Sequence, residues 1–150
     1  MGRRGWIGSD LDGTLAHYTH WVPGKIGSPI LQHVTRLRRH INDGYEVRIV
    51  TARVDDVLDH IHFTYEPIEL AFSSYMGKYL DPEDCGKWGP DIVEDQEQRK
   101  LIQEWCLEHL GIALKVTNRK DMDMVLLYDD RAKEIVPNTG ELVGKEYHLR

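Results

Sequence analysis

An α/β fold, a three-layer Rossmann-like sandwich on a central and mainly parallel sheet, is what three features of this 150-residue sequence predict. Short apolar runs (Trp6-Ile7, then 47–50, then 124–128) alternate with stretches whose apolar residues recur at helical spacing. The runs end in polar or acidic residues, which is where the strands of an open parallel sheet present their ligand-binding rim. The length is that of one ordinary domain, so 1–150 reads as a single unit with no large cap domain.

The first run leads into Gly8-Ser9-Asp10-Leu11-Asp12-Gly13-Thr14-Leu15. Alternation at a strand end brings Asp10 and Asp12 to one rim and turns Leu11 and Leu15 inward, and Gly13 permits a sharp turn. Two carboxylates about 5 Å apart repel by roughly 3 kcal/mol at an effective dielectric near 20, so the pair reads either as a solvated acidic turn or, given the full D-x-D-G-T-L string, as a site with a cation between them. Mg2+ fits best, because it takes oxygen ligands and bridges carboxylates to a substrate phosphate.

Residues 17–27 are dense in rings and chain breakers and read as a loop returning over that rim. His17, Tyr18, His20 and Trp21 are candidates for substrate contact or for packing the loop down; a zinc site on the two histidines lacks a third ligand. Ser28-Pro29 is a helix-start signal, followed by an apolar stripe of Ile30, Val34, Leu37 and Ile41. The face with Arg36, Arg38, Arg39 and His40 reads as solvated, and Asn42-Asp43-Gly44 ends the helix. A strand over 45–51 follows, with Thr51 at its carboxyl end. A right-handed crossover then sets Thr51 beside Asp10.

Residues 54–94 are broken by Pro67, Gly77, Pro82, Gly86, Gly89 and Pro90 and read as a small insertion or lid, with Tyr75, Tyr79 and Trp88 as packing anchors. His60 and His62 carry no ligand pattern. A helix is expected over 97–110 and a strand over 112–116, then a polar turn that leaves Lys120 on the rim. The strand 124–128 delivers Asp129-Asp130-Arg131, 137–140 forms a turn, and the tail shows no chemical signal.

Lys and Arg total 19 against 25 Asp and Glu, a net charge of −6 with the signs interspersed, which disfavours tracking along nucleic acid but not a nucleotide-sized substrate. Cys85 and Cys106 read as free, reduced thiols. No apolar run suits a signal peptide or membrane span, and the expected location is the cytoplasm.

Taken in order, D-x-D-G-T-L, Thr51-Ala52-Arg53, Lys120 and Asp129-Asp130 resemble the four motifs of the haloacid dehalogenase superfamily in its phosphatase branch. The resemblance spans residues 10–131 and extends to a small phosphatase-like group of bacteria and their phages. Ser9 departs from it, since the strand before the first motif is usually more apolar. The resemblance implies Asp10 as nucleophile and Asp12 as general acid and base. It implies Mg2+ held by Asp10, Asp12 through its backbone carbonyl, Asp129 and Asp130, and a phosphoryl group held by Thr51 and Lys120. Ala52 and Arg53 are further candidates for substrate binding, Arg53 reading either as a substrate contact or as a structural residue that caps a helix or pairs with Asp55 or Asp56.

The activity implied is hydrolysis of a small phosphorylated metabolite or nucleotide through an aspartyl-phosphate. Polynucleotide 3′-phosphatase activity and a non-catalytic binding module are the alternatives. A receiver-type phosphorylation switch is disfavoured by the order of its motifs. Without a large cap the site is comparatively open, which in this family admits bulky substrates or a second subunit, as in a homo-oligomer, that closes it.

Overall fold

The structure, a computed structural model, describes residues 4–54 and 85–144, giving only the backbone for 85–93. In chain order the elements are β1 (Trp6–Ser9), α1 (Leu31–Asn42), β2 (Glu46–Val50), α2 (Cys85–Leu110), β3 (Lys115–Thr117) and β4 (Met124–Tyr128). The four strands form one sheet in the order β3-β2-β1-β4, and every neighbouring pair is parallel. The fold is therefore α/β on a parallel sheet, as the strand and helix alternation predicts.

One face of the sheet carries the core. Ile7, Val47, Ile49 and Val116 meet Val34 and Leu37 of α1 and Ile102, Cys106 and Leu110 of α2, with Leu11 and Leu15 closing the cluster beneath the first motif. The two helices also touch each other, so both lie on this face. Arg99 of α2 is fully buried within the core. It is offset by Asp95 one turn earlier, at 3.0 Å, and by the Val116 carbonyl, to which it donates, so that α2 is tied to β3.

The opposite face is built around Trp6. Its ring lies over Gly8, where an added Cβ would come within 3.2 Å of the indole and 3.0 Å of both Leu127 and Val50. Arg48 covers the indole at 4.3 Å, and the indole N–H donates to Asp121 at 2.7 Å. That bond, together with Arg48, holds the Asp121 carboxyl below the usual carboxylate range. Because β3 and β4 occupy opposite edges of the sheet, the strap 118–123 must descend from one end of the strands to the other while crossing β2 and β1. Trp6 N–H donates to the Asp123 carbonyl at 2.9 Å, which anchors the strap at the start of β1.

Several expectations shift. Helix α1 begins at Leu31 with Ile30 in the cap position and no side-chain cap. Ser28 is instead used in a bridge: His17 N–H donates to its carbonyl at 2.9 Å and Ile30 N–H to that of Leu15 at 2.8 Å. The stripe of α1 buries His33 along with Val34 and Leu37. Its basic face is not simply solvated, since Arg38 donates to the His109 carbonyl at 2.7 Å and Arg36 to His33 at 2.9 Å.

The strand expected over 112–116 is β3, displaced toward Thr117. Helix α2 starts at Cys85, ahead of the expected Glu97, and encloses Gly86, Gly89 and Pro90, residues of low helix propensity that lead the sequence pattern to start the helix later. The readings for 55–84, including His60, His62, Tyr75 and Tyr79, lie outside the described residues, as do the Trp88 and Cys85 side chains and the tail beyond 144. Among the described residues no helix is long and apolar enough to cross a membrane.

Candidate metal and phosphoryl site

Strands β1 and β4 are neighbours, and both end at the same rim, where Asp10 N–H continues the ladder by donating to the Tyr128 carbonyl at 2.8 Å. This register sets Asp10 against Asp129 and Asp130. One carboxylate oxygen from each of the three lies within 4.8 Å of the others. Burial pushes the Asp10 carboxyl up to about 7, assisted by its hydrogen bond with Asp130 and by the charge of Asp129. Crowded acids of this kind must share a proton or a cation. A cluster of hard oxygen donors with no nitrogen or sulfur suits a hard divalent ion, and Mg2+ fits that donor set.

The rest of the first motif serves this cluster. Gly13 has φ +85°, and a Cβ there would meet Asp130 Oδ2 at 2.7 Å, so both the turn and the close approach require glycine. Thr14 Oγ1 donates to Asp130 Oδ1 at 3.1 Å and accepts from Asp130 N–H at 3.0 Å. The Gly-Thr pair thus fixes an acid 116 residues away. The Asp129 carboxylate accepts from Arg131 N–H at 2.8 Å, which turns the chain out of β4.

Asp12 takes a different partner. Its two oxygens accept from Arg53 Nε and Nη2, each at 2.7 Å, in a bidentate fork. Its side chain is thus outside the acidic cluster, leaving the backbone carbonyl as the ligand it can offer a metal. Thr51 is buried at the end of β2, and its hydroxyl accepts from Arg53 N–H at 3.2 Å. Asp10, Asp12, Thr51, Ala52 and Arg53 all line one cavity of about 780 Å³.

Tyr18 and Trp21 form part of its wall, so the 17–27 loop does return over the rim, whereas His17 and His20 do not line it. Asp129, Val50 and Val54 line it too, as do Asn118, Arg131, Glu94 and Gln98, four residues that were not proposed as site residues from sequence. Arg131 directly follows the acidic pair, and that position was the available signal.

Lys120 is exposed, does not line the cavity, and stands next to Asp121, whose carboxylate accepts from the Trp6 indole on the opposite face of the sheet. It lies in the strap that descends from the end of β3 to the start of β4.

Sequence reasoning also missed a buried polar chain beneath Asp10. Arg36 Nη1 donates to His33 Nδ1 at 2.9 Å, which leaves the His33 proton on Nε2 to be donated to Ser9 Oγ at 2.9 Å. Ser9 Oγ–H in turn donates to the Asp10 carbonyl at 2.9 Å. Burial, with the charges of Arg36 and His40, lowers the His33 pKa to about 4, so the ring is neutral. Ser9 is polar because it is a link in this chain. His33 could have been found, since it stands three residues after Ile30 and four before Leu37 on the buried stripe.

Fold and rim together define a parallel α/β protein with an acidic, all-oxygen site at the carboxyl edge of its sheet. No protein-family model matches the chain, and no curated protein matches it. Among solved structures, a conserved protein from Bacteroides thetaiotaomicron is similar over 85% of this chain and 77% of its own, at 17% identity and a TM-score of 0.45. Likeness at that level assigns neither a fold family nor an activity.

Proposed function

We propose that this protein is a Mg2+-dependent phosphomonoester hydrolase, acting through an aspartyl-phosphate on a small phosphorylated metabolite or nucleotide. The observation that carries this reading is the meeting of Asp10 with Asp129 and Asp130 at one rim, beside a strand-end threonine, in the order that the haloacid dehalogenase resemblance implies. Asp10 attacks phosphorus in line with the leaving oxygen, so that one difficult displacement becomes two easier ones. Asp12 protonates the leaving oxygen and later takes a proton from the hydrolytic water.

Thr51 and the backbone N–H groups beyond Asp10 steady the phosphoryl oxygens, and Arg131 on the cavity wall supplies positive charge. Asp10, Asp129 and Asp130, with the Asp12 carbonyl, would hold Mg2+. A bound Mg2+ contributes neutralisation of charge on the transferring group. The cavity volume suits a ligand of metabolite or nucleotide size. The free, buried thiol of Cys106, pushed up to about 12 by burial, suits the reducing interior of a cell.

The test is turnover of p-nitrophenyl phosphate and a panel of phosphomonoesters by the purified chain in Mg2+. Asp10→Asn should abolish it, and absence of turnover in the unmutated protein across the panel would overturn the reading. That Lys120 does not line the cavity favours a second reading, a module that binds a phosphorylated ligand without hydrolysing it; binding with no turnover would select that one.

A further inference from the structure

Arg53 is held at four points. Nε and Nη2 grip both oxygens of Asp12 at 2.7 Å, and Nη1 donates to the Lys25 carbonyl at 3.1 Å. The guanidinium also lies 4.7 Å from the Trp21 ring, and its backbone N–H donates to Thr51. It therefore joins the 17–27 loop, the end of β2 and the first motif in one clamp. The side chain is only 5% exposed, although Arg53, Asp12 and Trp21 all line the cavity that holds Asp10.

In this arrangement both oxygens of Asp12 accept from the Arg53 fork, so any group that reaches Asp12 from the cavity competes with the guanidinium. A phosphomonoester seated against Asp10 enters the same cavity as a dianion, with twice the charge of the carboxylate it displaces and three oxygens that match the planar fork.

We propose that Arg53 is a substrate-exchanged clamp: it grips the Asp12 carboxylate and transfers its fork to an incoming phosphoryl group, which releases the Asp12 side chain to turn toward the leaving oxygen. The inference rests on the phosphatase reading and deepens it by naming what switches the acid on. Arg53 thereby contributes to binding, and to acid catalysis only by releasing Asp12. Trp21 reports the exchange, because the cation stacked on it moves.

Two measurements test this on the full chain. With p-nitrophenyl phosphate, whose leaving group departs without a proton, Arg53→Ala should raise KM by about tenfold or more while kcat stays within about threefold, and Arg53→Lys should recover part of the KM. A fall in kcat with KM unchanged would make Arg53 a merely structural tie and overturn the clamp, leaving the phosphatase reading in place.

The second measurement needs no turnover. Inorganic phosphate, titrated in Mg2+, should change a fluorescence signal that is lost in Trp21→Phe, and the midpoint should weaken about tenfold or more in Arg53→Ala. Phosphate binding by calorimetry with no Trp21 signal, or with the same affinity in Arg53→Ala, would overturn the clamp. Should the unmutated protein bind phosphate through Arg53 yet hydrolyse nothing, the exchange of partners stands and the phosphatase reading falls.

Discussion

Gly13 shows how much one residue can decide. Its φ of +85° and the 2.7 Å approach to Asp130 leave no room for a Cβ. Gly13→Ala should therefore destabilise the fold by about 1–3 kcal/mol through backbone strain and also weaken divalent-ion binding by displacing Asp130. Denaturant unfolding with and without Mg2+ separates the two effects. A variant whose stability falls while its Mg2+ affinity is unchanged would show that the contact with Asp130 is dispensable.

His33 carries a pH signature of its own. Its folded pKa of about 4 lies below the ordinary 6.5, so the unfolded chain binds the extra proton first. The stabilisation from the neutral ring is complete above pH 6.5 and is lost as pH falls from there through about 4. Urea midpoints taken across that window should decline toward acid more steeply for the unmutated protein than for His33→Asn.

Among the elements, α2 and the strap make the clearest expectations. Asp95→Ala removes the carboxylate that lies 3.0 Å from the fully buried Arg99 and should cost about 3–5 kcal/mol, by thermal or urea unfolding. Leu37→Ala, on the buried face of α1, should cost about 2–5 kcal/mol through the cavity it opens. The strap exposes a lesson about reading connections. Thr117 and Met124 are close in sequence, yet their strands sit at opposite edges, so six residues must span the sheet from corner to corner. Helix α1, by contrast, follows its apolar stripe closely, and β4 has the expected bounds.

At the scale of the molecule, β1 and β4 bring three acids together, and the folded state should be the one that binds the cation. A ligand at a hundredfold excess over its Kd stabilises by about 2.7 kcal/mol, so saturating Mg2+ should raise Tm by roughly 5–10 °C, and Asp129→Asn should remove most of that rise. Without the ion the sign with pH is opposite to that of His33. Asp10 keeps its proton up to about 7 when folded and loses it near 3.8 when unfolded, so its contribution to stability is present at low pH and is lost as pH rises toward 7. Mg2+ should abolish that decline, since it takes the place of the proton. Stability curves with and without Mg2+ between pH 4 and 8 check this, with His33→Asn used to remove the opposing slope.

The parallel sheet, the rim, and the meeting there of Asp10, Thr51, Asp129 and Asp130 were legible in the sequence by itself. Strand polarity decides them: residues at the carboxyl ends of parallel strands must share one edge, and apolar runs mark where those ends fall. The path of the strap that carries Lys120 across the sheet, the grip of Arg53 on Asp12, and the chain from Arg36 through His33 to Ser9 were settled only in three dimensions. Each depends on which strand lies beside which and on partners distant in sequence, 41 residues apart for Asp12 and Arg53 and 115 for Trp6 and Asp121. Local periodicity says which way a side chain faces, and strand order says what it meets.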